Sequence, residues 1–277
     1  MRGTVFEKPG TALITGASAG IGTELARAFA ERGHDLVLVA RSGDRLEALA
    51  AELEAGFGID ASFIVSDLTE PGAPDDVFAE VCGAGIQVDV LVNNAGAGSF
   101  ARFAEVDLDR HLRILQLNVV ALTALTRLFV EPMVRRGSGR VLNVSSVAGF
   151  QPMPMLAVYG ATKAFIISLS EALAVELQGT GVTITVLCPG FTGTGLIEDL
   201  QGQAGDPDMI PGLVMQDPAV VAREGVEACL CGKPLHINGL GYQLGVLWET
   251  WQPRWLIRSM GSTLTRMMTA RPRAGKE

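Results

Sequence analysis

Two hydrophobic patterns alternate along the chain. Short apolar runs of strand character recur at Thr11–Thr15, Asp35–Ala40, Ala61–Ser66, Val88–Asn93, Gly139–Ser145 and Val182–Cys188. Longer segments with the period of a helix separate them, at Ile21–Glu31, Asp44–Ala55, Ala73–Cys82, Leu108–Arg135 and Met155–Gln178. Strands that alternate with helices predict an α/β fold, a doubly wound parallel sheet with helices on both faces.

The span from Pro189 to Pro218 interrupts this alternation, because it is rich in Gly and Pro and shows only weak periodicity. Long loops beside a binding site often act as lids, so residues 191–218 are predicted to cover a substrate. The chain has 277 residues and is 48% hydrophobic, which is ample for a buried core. We expect one domain rather than two small ones.

Charge is distributed unevenly along the chain. The net charge is −8, yet residues 251–277 carry five Arg and one Lys against one Glu, which leaves −13 on the remainder. Nucleic-acid binding requires the opposite balance, so no nucleic-acid partner is expected.

Residues 1–10 contain no apolar run of a signal peptide, and polar residues interrupt the most apolar long stretch, 115–134. We therefore expect a cytoplasmic protein that does not span a membrane.

Cysteine and histidine are sparse and scattered. The four cysteines show neither the CxxC spacing of a zinc site nor the density of a disulfide scaffold, and the three histidines are far apart. These residues are Cys82, Cys188, Cys229, Cys231, His34, His111 and His236. No metal site is expected.

A glycine-rich turn follows the first strand and opens the first helix, in the sequence Thr-Gly-Ala-Ser-Ala-Gly-Ile-Gly from Thr15 to Gly22. Glycines allow a pyrophosphate to approach the backbone and to lie on the helix N-terminus. A purely structural glycine turn is the alternative, and the flanking strand and helix favour the binding site. The residues expected to contact a dinucleotide are Gly16, Ser18, Gly20, Ile21 and Gly22.

The second strand ends in Ala40-Arg41, where a carboxylate would be expected for a free ribose 2′-hydroxyl. A guanidinium pairs well with a phosphate, so Arg41 favours NADP(H) over NAD(H). A solvated surface arginine is the alternative. Asp67, followed by Leu68 after the third strand, is positioned to accept a hydrogen bond from the adenine amino group, although a helix cap or turn former would look the same.

Polar residues follow the later strands as well. The turn Asn93-Asn94-Ala95-Gly96 closes the fourth strand, and Asn93, Ala95 and Gly96 could lie against a cofactor, although such a sequence alone is more often just a turn. Asn118 is an amide in an apolar helix, so it either binds a backbone carbonyl and a water or caps a local bend. Ser146 ends the fifth strand and places a hydroxyl at the carboxyl edge, where such sheets bind ligands.

Tyr159 and Lys163 are rare residues at helical spacing, since the chain has two tyrosines and four lysines. Residues four apart lie on the same helix face. A neighbouring ammonium favours the phenolate and is expected to lower the pKa of Tyr159 from about 10. The pair is therefore a candidate acid/base, with an exposed helix pair as the alternative.

Together, these motifs resemble the short-chain dehydrogenase/reductase family over residues 10 to 235. The resemblance implies one Rossmann-type catalytic domain over 1–238 with a seventh strand at Leu235–Asn238. It also implies a homodimer or homotetramer built partly from the helices of Asn118 and Tyr159, and a 2′-phosphate read by Arg41. Ala19 departs from some NADP-dependent members, which carry a basic residue there.

The resemblance also implies roles in hydride transfer between nicotinamide and a carbonyl. Tyr159 would donate the proton, Ser146 would polarise the carbonyl oxygen, and Lys163 would hydrogen-bond the nicotinamide ribose. Asn118 would hold a water that links Lys163 to solvent. The turn that carries Pro189, Gly190, Thr192 and Thr194 would lie on the nicotinamide side.

The substrate is less constrained by the sequence. Residues 150–156 contain no charge, which favours an apolar ketone, acyl or steroid-like substrate. The extension 239–277 has three tryptophans and a basic amphipathic pattern, so it could pack in a core or interface, cap the substrate, or touch a membrane surface.

Three functions are compatible with these motifs. An NADPH-dependent carbonyl reductase or the matching alcohol dehydrogenase is favoured over a non-catalytic dinucleotide-binding regulatory or scaffold protein, which would have no chemical need for Ser146, Tyr159 and Lys163. A sugar-nucleotide epimerase is disfavoured by the glycine spacing and by the short carboxyl-terminal part.

Overall fold

A parallel sheet forms the centre of the protein in the computed structural model, which describes residues 9–204 and 215–252. Seven strands pair in these residues in the order β3-β2-β1-β4-β5-β6-β7, every pair being parallel. They are β1 Thr11–Thr15, β2 Asp35–Ala40, β3 Ala61–Val65, β4 Val88–Asn93, β5 Gly139–Val144, β6 Val182–Cys188 and β7 Leu235–Ile237. The predicted doubly wound α/β fold is confirmed.

Helices cover both faces of the sheet. They are α1 Ile21–Ala30, α2 Gly43–Phe57, α3 Ala73–Gly83, α4 Leu108–Leu115, α5 Leu122–Arg136, α6 Ala157–Glu176, α7 Gly195–Ala204, α8 Pro218–Leu230 and α9 Leu240–Trp251. Successive side chains of a strand point to opposite faces: in β1, Ile14 packs in the cluster with α1, α2 and α8, whereas Leu13 packs in the cluster with α3 and α5.

The predicted helix Leu108–Arg135 is not one continuous α-helix. A π-helical segment, Gln116–Ala121, separates α4 from α5. By length and composition alone, 108–136 and 157–176 are apolar enough to cross a membrane. Both nevertheless contribute buried side chains to the clusters on the sheet, such as Phe129 and Ile166. This weak signal therefore has a structural explanation.

The expectation of a loop throughout 191–218 is wrong in part. Helix α7 occupies residues 195–204, while 205–214 lie outside the described residues. In α7, Leu200 is 4% exposed and packs with Phe100 and Leu156, which are distant in sequence. Tertiary packing therefore stabilises a helix that local periodicity did not predict.

Candidate active site

The carboxyl ends of β1, β4 and β5 meet at one edge of the sheet. The strand order reverses between β1 and β4, and ligands of open α/β sheets bind at such a switch point. A cavity of about 240 Å³ opens beside this edge. It is lined by Ile21, Ser145, Ser146, Val147, Ala148, Gln151, Met153, Leu156, Tyr159, Pro189, Gly190, Phe191, Thr192, Thr194, Ile197, Leu200, Gly241, Tyr242, Gly245 and Val246.

The glycine turn has the shape of a phosphate cradle. Gly16 and Gly20 have φ of +66° and +59°, which favour glycine. A Cβ at Gly22 would lie 2.1 Å from the Gly16 carbonyl oxygen. Gly20 precedes α1 without a side-chain cap, so the first N–H groups of α1 are left for a ligand. Ile21 lines the cavity and Ser18 is half-buried on the turn.

A link that the sequence did not reveal holds the glycine turn to the turn after β4. The Asn94 side chain donates to the carbonyl oxygens of Thr15 and Gly16, at 3.0 and 3.3 Å. In return, the Thr15 hydroxyl accepts from the backbone N–H groups of Asn94 and Ala95, at 3.0 and 3.1 Å. The two cofactor-side turns are therefore one unit.

Asn93 and Asn94 have different surroundings, because adjacent strand residues point to opposite sides. The Asn93 side chain is buried and donates to Thr126 Oγ1 at 3.0 Å and to Asn143 Oδ1 at 2.9 Å. Asn143 continues the chain of hydrogen bonds to Ser170 at 2.9 Å. A cofactor contact by Asn93 would thus come from its backbone, while Asn94, which sequence reasoning passed over, faces the glycine turn.

Arg41 and Asp67 come together at the ends of β2 and β3, with Arg41 Nη1 3.8 Å from Asp67 Oδ2. Arg41 remains 76% exposed and so is accessible to a ligand. Asp67 Oδ1 accepts from the backbone N–H and the hydroxyl of Thr69, so Asp67 also forms a turn. Burial opposes ionisation, but the Thr69 hydrogen bonds and the charges of Arg41 and Arg113 hold the pKa of Asp67 below its ordinary value. Leu68 is buried in the core.

The π-helical segment brings Asn118 to the catalytic edge. Its amide exchanges two hydrogen bonds of 2.9 Å with the backbone of Ala97 and donates to Thr162 Oγ1 at 3.0 Å. The bond from the Asn118 amide to the Ala97 carbonyl oxygen is the backbone contact expected from the sequence, and the π-helical segment is a local irregularity at the same position. A Cβ at Gly96 would lie 3.5 Å from Asn118 Oδ1 and 3.6 Å from Lys163 Nζ, so the three residues share one site. Such π-segments frequently occur at functional sites.

The sheet edge places Ser146, Tyr159 and Lys163 within reach of one another. Ser146 and Tyr159 line the same cavity. The Ser146 hydroxyl accepts a hydrogen bond from Ala148 N at 3.1 Å and donates one to the Pro189 carbonyl oxygen at 3.5 Å. Lys163 Nζ lies 5.6 Å from the centre of the Tyr159 ring and donates to the Val144 carbonyl oxygen at 2.9 Å. The predicted spacing therefore places a phenol and a hydroxyl on the lining of the cavity and an ammonium beside the phenol ring.

The expected lowering of the Tyr159 pKa is wrong for the structure as described. Burial raises the pKa of Tyr159, and the neighbouring Ser146 hydroxyl opposes this only in part. Burial also lowers the pKa of Lys163 to about 8, which weakens its charge as pH rises. Tyr159 is consequently a protonated phenol at neutral pH, which is the form that donates a proton.

The turn 189–194 lies between the catalytic edge and the glycine turn. The Pro189 carbonyl oxygen accepts from Val147 N at 3.0 Å, and the buried Thr192 hydroxyl donates to the Gly190 carbonyl oxygen at 3.1 Å. A Cβ at Gly20 would meet the Thr194 side chain at 3.1 Å. The structure thus brings the glycine turn close to the turn 189–194, as the predicted cofactor site requires. The side chains of Asn93 and Leu68, which were also predicted to contact the cofactor, point into the interior instead.

Sequence reasoning missed most of the opposite wall, which comes from α7 and α9. Ile197 and Leu200 of α7 pack near Tyr159, and Gln203 fastens α7 by accepting from Phe100 N at 2.8 Å. Helix α9 belongs to the carboxyl-terminal extension and contributes Tyr242 and Val246. The described part of the extension therefore caps the cavity, one of its three interpretations; Trp255 and the basic residues from 254 onward lie outside the described residues.

Electrostatically, the cavity is neutral apart from its catalytic end. Among residues 9–204 and 215–252, none of the side chains that line it is charged. In the same residues no group of three or more His, Cys, Asp or Glu is placed to hold a metal ion. The cavity suits an apolar molecule held by a few polar groups.

Comparisons with known proteins place the chain among oxidoreductases. The family model described as short chain dehydrogenase matches residues 10–204. The very-long-chain 3-oxoacyl-CoA reductase of Bos taurus is 35% identical over 189 residues, 67% of this chain and 60% of that protein. The chain thus matches less than two thirds of this relative's length.

Two solved structures extend the similarity over nearly the whole chain. One, described for 7β-hydroxysteroid dehydrogenase stereoselectivity, has a TM-score of 0.80 and 28% identity, covering 93% of this chain and 99% of the other. A short-chain dehydrogenase from Sphingobium yanoikuyae in complex with NADPH has a TM-score of 0.76 and 31% identity, covering 97% and 98%. The family match, the sheet topology and the Ser146–Tyr159–Lys163 site agree: this chain belongs to the short-chain dehydrogenase family.

Proposed function

We propose that this protein is an NADP(H)-dependent oxidoreductase that interconverts a carbonyl and a secondary alcohol in an apolar substrate. The observation that carries the proposal is the position of Tyr159. Together with Ser146 and with Ile21 of the glycine turn, Tyr159 lines a cavity whose described lining carries no charged side chain, and Lys163 Nζ lies 5.6 Å from the centre of its ring. A proton donor, an apolar pocket and a phosphate cradle are the three parts that carbonyl reduction needs.

The cofactor proposal rests on the cradle and on Arg41. In the glycine turn, a Cβ would clash with the backbone at Gly16 and Gly22, and Gly20 has a positive φ. Helix α1 begins there without a side-chain cap, so its first N–H groups can receive a pyrophosphate. Arg41 is exposed beside Asp67 at the end of β2, where a guanidinium could pair with a 2′-phosphate. When bound, NADP(H) supplies or accepts the hydride.

The residues of this chain then handle the proton. In reduction, Tyr159 donates its phenolic proton to the substrate oxygen, and the Ser146 hydroxyl stabilises the charge that develops on that oxygen. The ammonium of Lys163 stabilises the phenolate that remains, because a nearby positive charge favours negative charge, and the phenolate then takes a proton from solvent. Asn118 positions the 96–98 backbone beside Lys163, because both its amide atoms are bound to Ala97.

An apolar ketone, acyl or steroid-like compound is the substrate class that the cavity suits. The lining contains Met153, Leu156, Ile197, Leu200 and Val246 and no charged side chain among the described residues. The bovine relative is named for 3-oxoacyl-CoA and the first structural neighbour for a hydroxysteroid. Both names support, for this chain, a carbonyl or alcohol that is part of a bulky apolar group, such as a long acyl chain or a steroid skeleton.

Oxidation of NADPH tests the proposal directly. The purified protein is incubated with NADPH and a panel of 3-oxoacyl thioesters, cyclic ketones and ketosteroids, and absorbance at 340 nm is followed. We expect turnover with at least one apolar ketone and a loss of about a hundredfold or more with Tyr159→Phe. The contrary result is a protein that binds NADPH tightly but does not oxidise it with any carbonyl compound of the panel, and does not reduce NADP⁺ with the matching alcohols. Such a protein would be a dinucleotide-binding scaffold.

We also propose a cytoplasmic homodimer or homotetramer. Exposed apolar side chains on α4, the π-helical segment and α6, among them Leu112, Leu115, Val120 and Phe165, support an interface along these helices. Light scattering on the purified protein measures the mass of the particle, and cell fractionation measures its location. A monomer at micromolar concentration contradicts the proposed oligomer. Recovery in the membrane fraction contradicts the proposed cytoplasmic location.

A further inference from the structure

The backbone of the turn 189–192 is bound by the side chains of two residues that follow it in the chain. The Tyr242 hydroxyl on α9 accepts a hydrogen bond from Phe191 N at 3.1 Å. The Gln216 side-chain oxygen accepts from Gly190 N at 3.0 Å. Two consecutive backbone N–H groups of the turn are therefore bound to side chains outside the segment matched by the family model, which ends at residue 204.

Tyr242 also packs directly on Gly190. A Cβ at Gly190 would lie 2.2 Å from two carbon atoms of the Tyr242 ring. Gly190 is not among the glycines with positive φ, so its backbone conformation does not require glycine. The close approach of the Tyr242 ring requires it instead, which shows how tightly α9 is pressed against the turn.

Gln216 completes the attachment through its amide and its backbone. Its side-chain nitrogen donates to the Asn238 carbonyl oxygen at 2.9 Å, which links the turn to the end of β7. Its backbone N–H donates to the Phe191 carbonyl oxygen at 2.7 Å, and its carbonyl oxygen accepts from Gly193 N at 3.1 Å. The turn is thus held between β7 and α9 on one side and Ser146 on the other.

We propose that Tyr242 and Gln216 are positioning residues, which fix the position of the 189–192 turn relative to Tyr159. The inference rests on the proposed function, in which this turn lies on the nicotinamide side. Its inner surface, formed by Pro189, Gly190 and Thr192, lines the same cavity as Tyr159. Because hydride and proton must reach the same carbonyl, an error of about 1 Å in this turn costs up to about a hundredfold in rate.

Substitutions at Tyr242 test the proposal with a matched control. Tyr242→Phe keeps the ring on Gly190 and removes the hydroxyl, Tyr242→Leu removes both, and Gln216→Leu removes the amide bonds. Leu244→Ala alters the same helix at a side chain that is 67% exposed, away from the turn. Amide hydrogen exchange of the 189–194 segment, NADPH affinity by fluorescence and kcat are measured for each.

We expect faster exchange at 189–194 in all three variants and no change in Leu244→Ala. Loss of kcat should be severalfold for Tyr242→Phe and about tenfold or more for Tyr242→Leu and Gln216→Leu, with NADPH affinity within about twofold, because the cradle and Arg41 hold the other end of the cofactor. Bound NADPH should slow exchange of this segment less in the variants than in the wild type.

Two outcomes overturn the proposal. One is unchanged exchange at 189–194 in Tyr242→Leu and Gln216→Leu. The other is a loss of kcat that is matched by equal losses of NADPH affinity and melting temperature, since a general loss of folding would then explain it. If the wild type turns over no carbonyl, the proposed function fails, yet exchange with and without NADPH still decides whether these residues hold the turn.

Discussion

The two sides of the cavity are built differently. The catalytic side comes from strand ends and their turns within residues 10–163, and it is rich in buried polar groups such as Asn118, Asn143 and Lys163. The opposite wall comes from α7 and α9, and its contacts with the catalytic side are mostly apolar. We propose that the first side determines which reaction is possible and that the second determines which substrate reaches it.

Their hydrogen bonds show the same difference. On the catalytic side, bonds such as those from Asn94 to Thr15 and from Asn118 to Ala97 fix backbone turns that sequence motifs mark. On the wall, single side chains such as Gln203 and Tyr242 attach a whole helix. Substitutions on the catalytic side should therefore alter chemistry and cofactor choice, and those on the wall should alter substrate range.

The largest effect is expected on the catalytic side. Tyr159→Phe removes the proton donor but keeps the ring, so kcat should fall by about 10²-fold to 10⁴-fold while NADPH affinity stays near that of the wild type. Steady-state kinetics and fluorescence titration measure the two quantities. Retention of more than a few per cent of the activity would show that another group donates the proton.

Arg41→Ala tests whether this side also selects the cofactor. Loss of a guanidinium–phosphate pair should weaken NADPH by about tenfold to a hundredfold, whereas NADH, which has no 2′-phosphate, should change little. Arg45→Ala, an exposed arginine in α2, is the matched control. An equal loss for both cofactors in Arg41→Ala refutes phosphate recognition.

Gly245→Leu tests the wall. Gly245 lines the cavity, and a Cβ added there would meet no atom within 4 Å, so the helix should accept the change. The added side chain should lower kcat/KM for bulky ketones by about tenfold, since filling a pocket removes apolar contacts of about 1–3 kcal/mol. Small methyl ketones serve as the internal control, and an equal loss for small and bulky ketones would mean that α9 does not select by size.

An effect on stability rather than on activity is expected from the buried ammonium of Lys163, which distinguishes the catalytic side from the wall. Burial lowers the pKa of Lys163 to about 8 from an ordinary 10.5. Between these values the unfolded chain holds more protons than the folded one, so the contribution of Lys163 to the free energy of unfolding rises with pH. Cys188 acts in the opposite direction above pH 9, because burial raises its pKa to about 12.

Comparison with Lys163→Met isolates the contribution of Lys163 to the pH dependence of the free energy of unfolding. Between pH 7.5 and 10, the free energy of unfolding of the wild type should rise relative to that of the variant, by about 1–3 kcal/mol. Urea denaturation at three pH values measures it. A difference between the two proteins that does not change with pH would mean that Lys163 is not appreciably desolvated.

Much of the fold follows from local patterns. All six strands predicted from hydrophobic runs exist, and their ends agree to within one residue, as for Ala61–Val65 and Gly139–Val144. Helix α6 begins at Ala157 rather than at Met155, because Met155 has a φ of +69° that α-helices do not allow. Helix α7 and the π-helical segment were missed, since each depends on a partner distant in sequence, Phe100 and Ala97 respectively.

The sequence by itself determined the α/β fold, the family resemblance and the residues proposed to carry the reaction, because strand periodicity, the glycine turn and the Tyr159–Lys163 spacing are local features. Only the tertiary structure decided that Asn94, rather than the Asn93 side chain, binds the glycine turn, that burial raises the Tyr159 pKa, and that Tyr242 holds the turn at Gly190. These facts depend on burial and on contacts between residues up to about 80 positions apart, which no local pattern encodes.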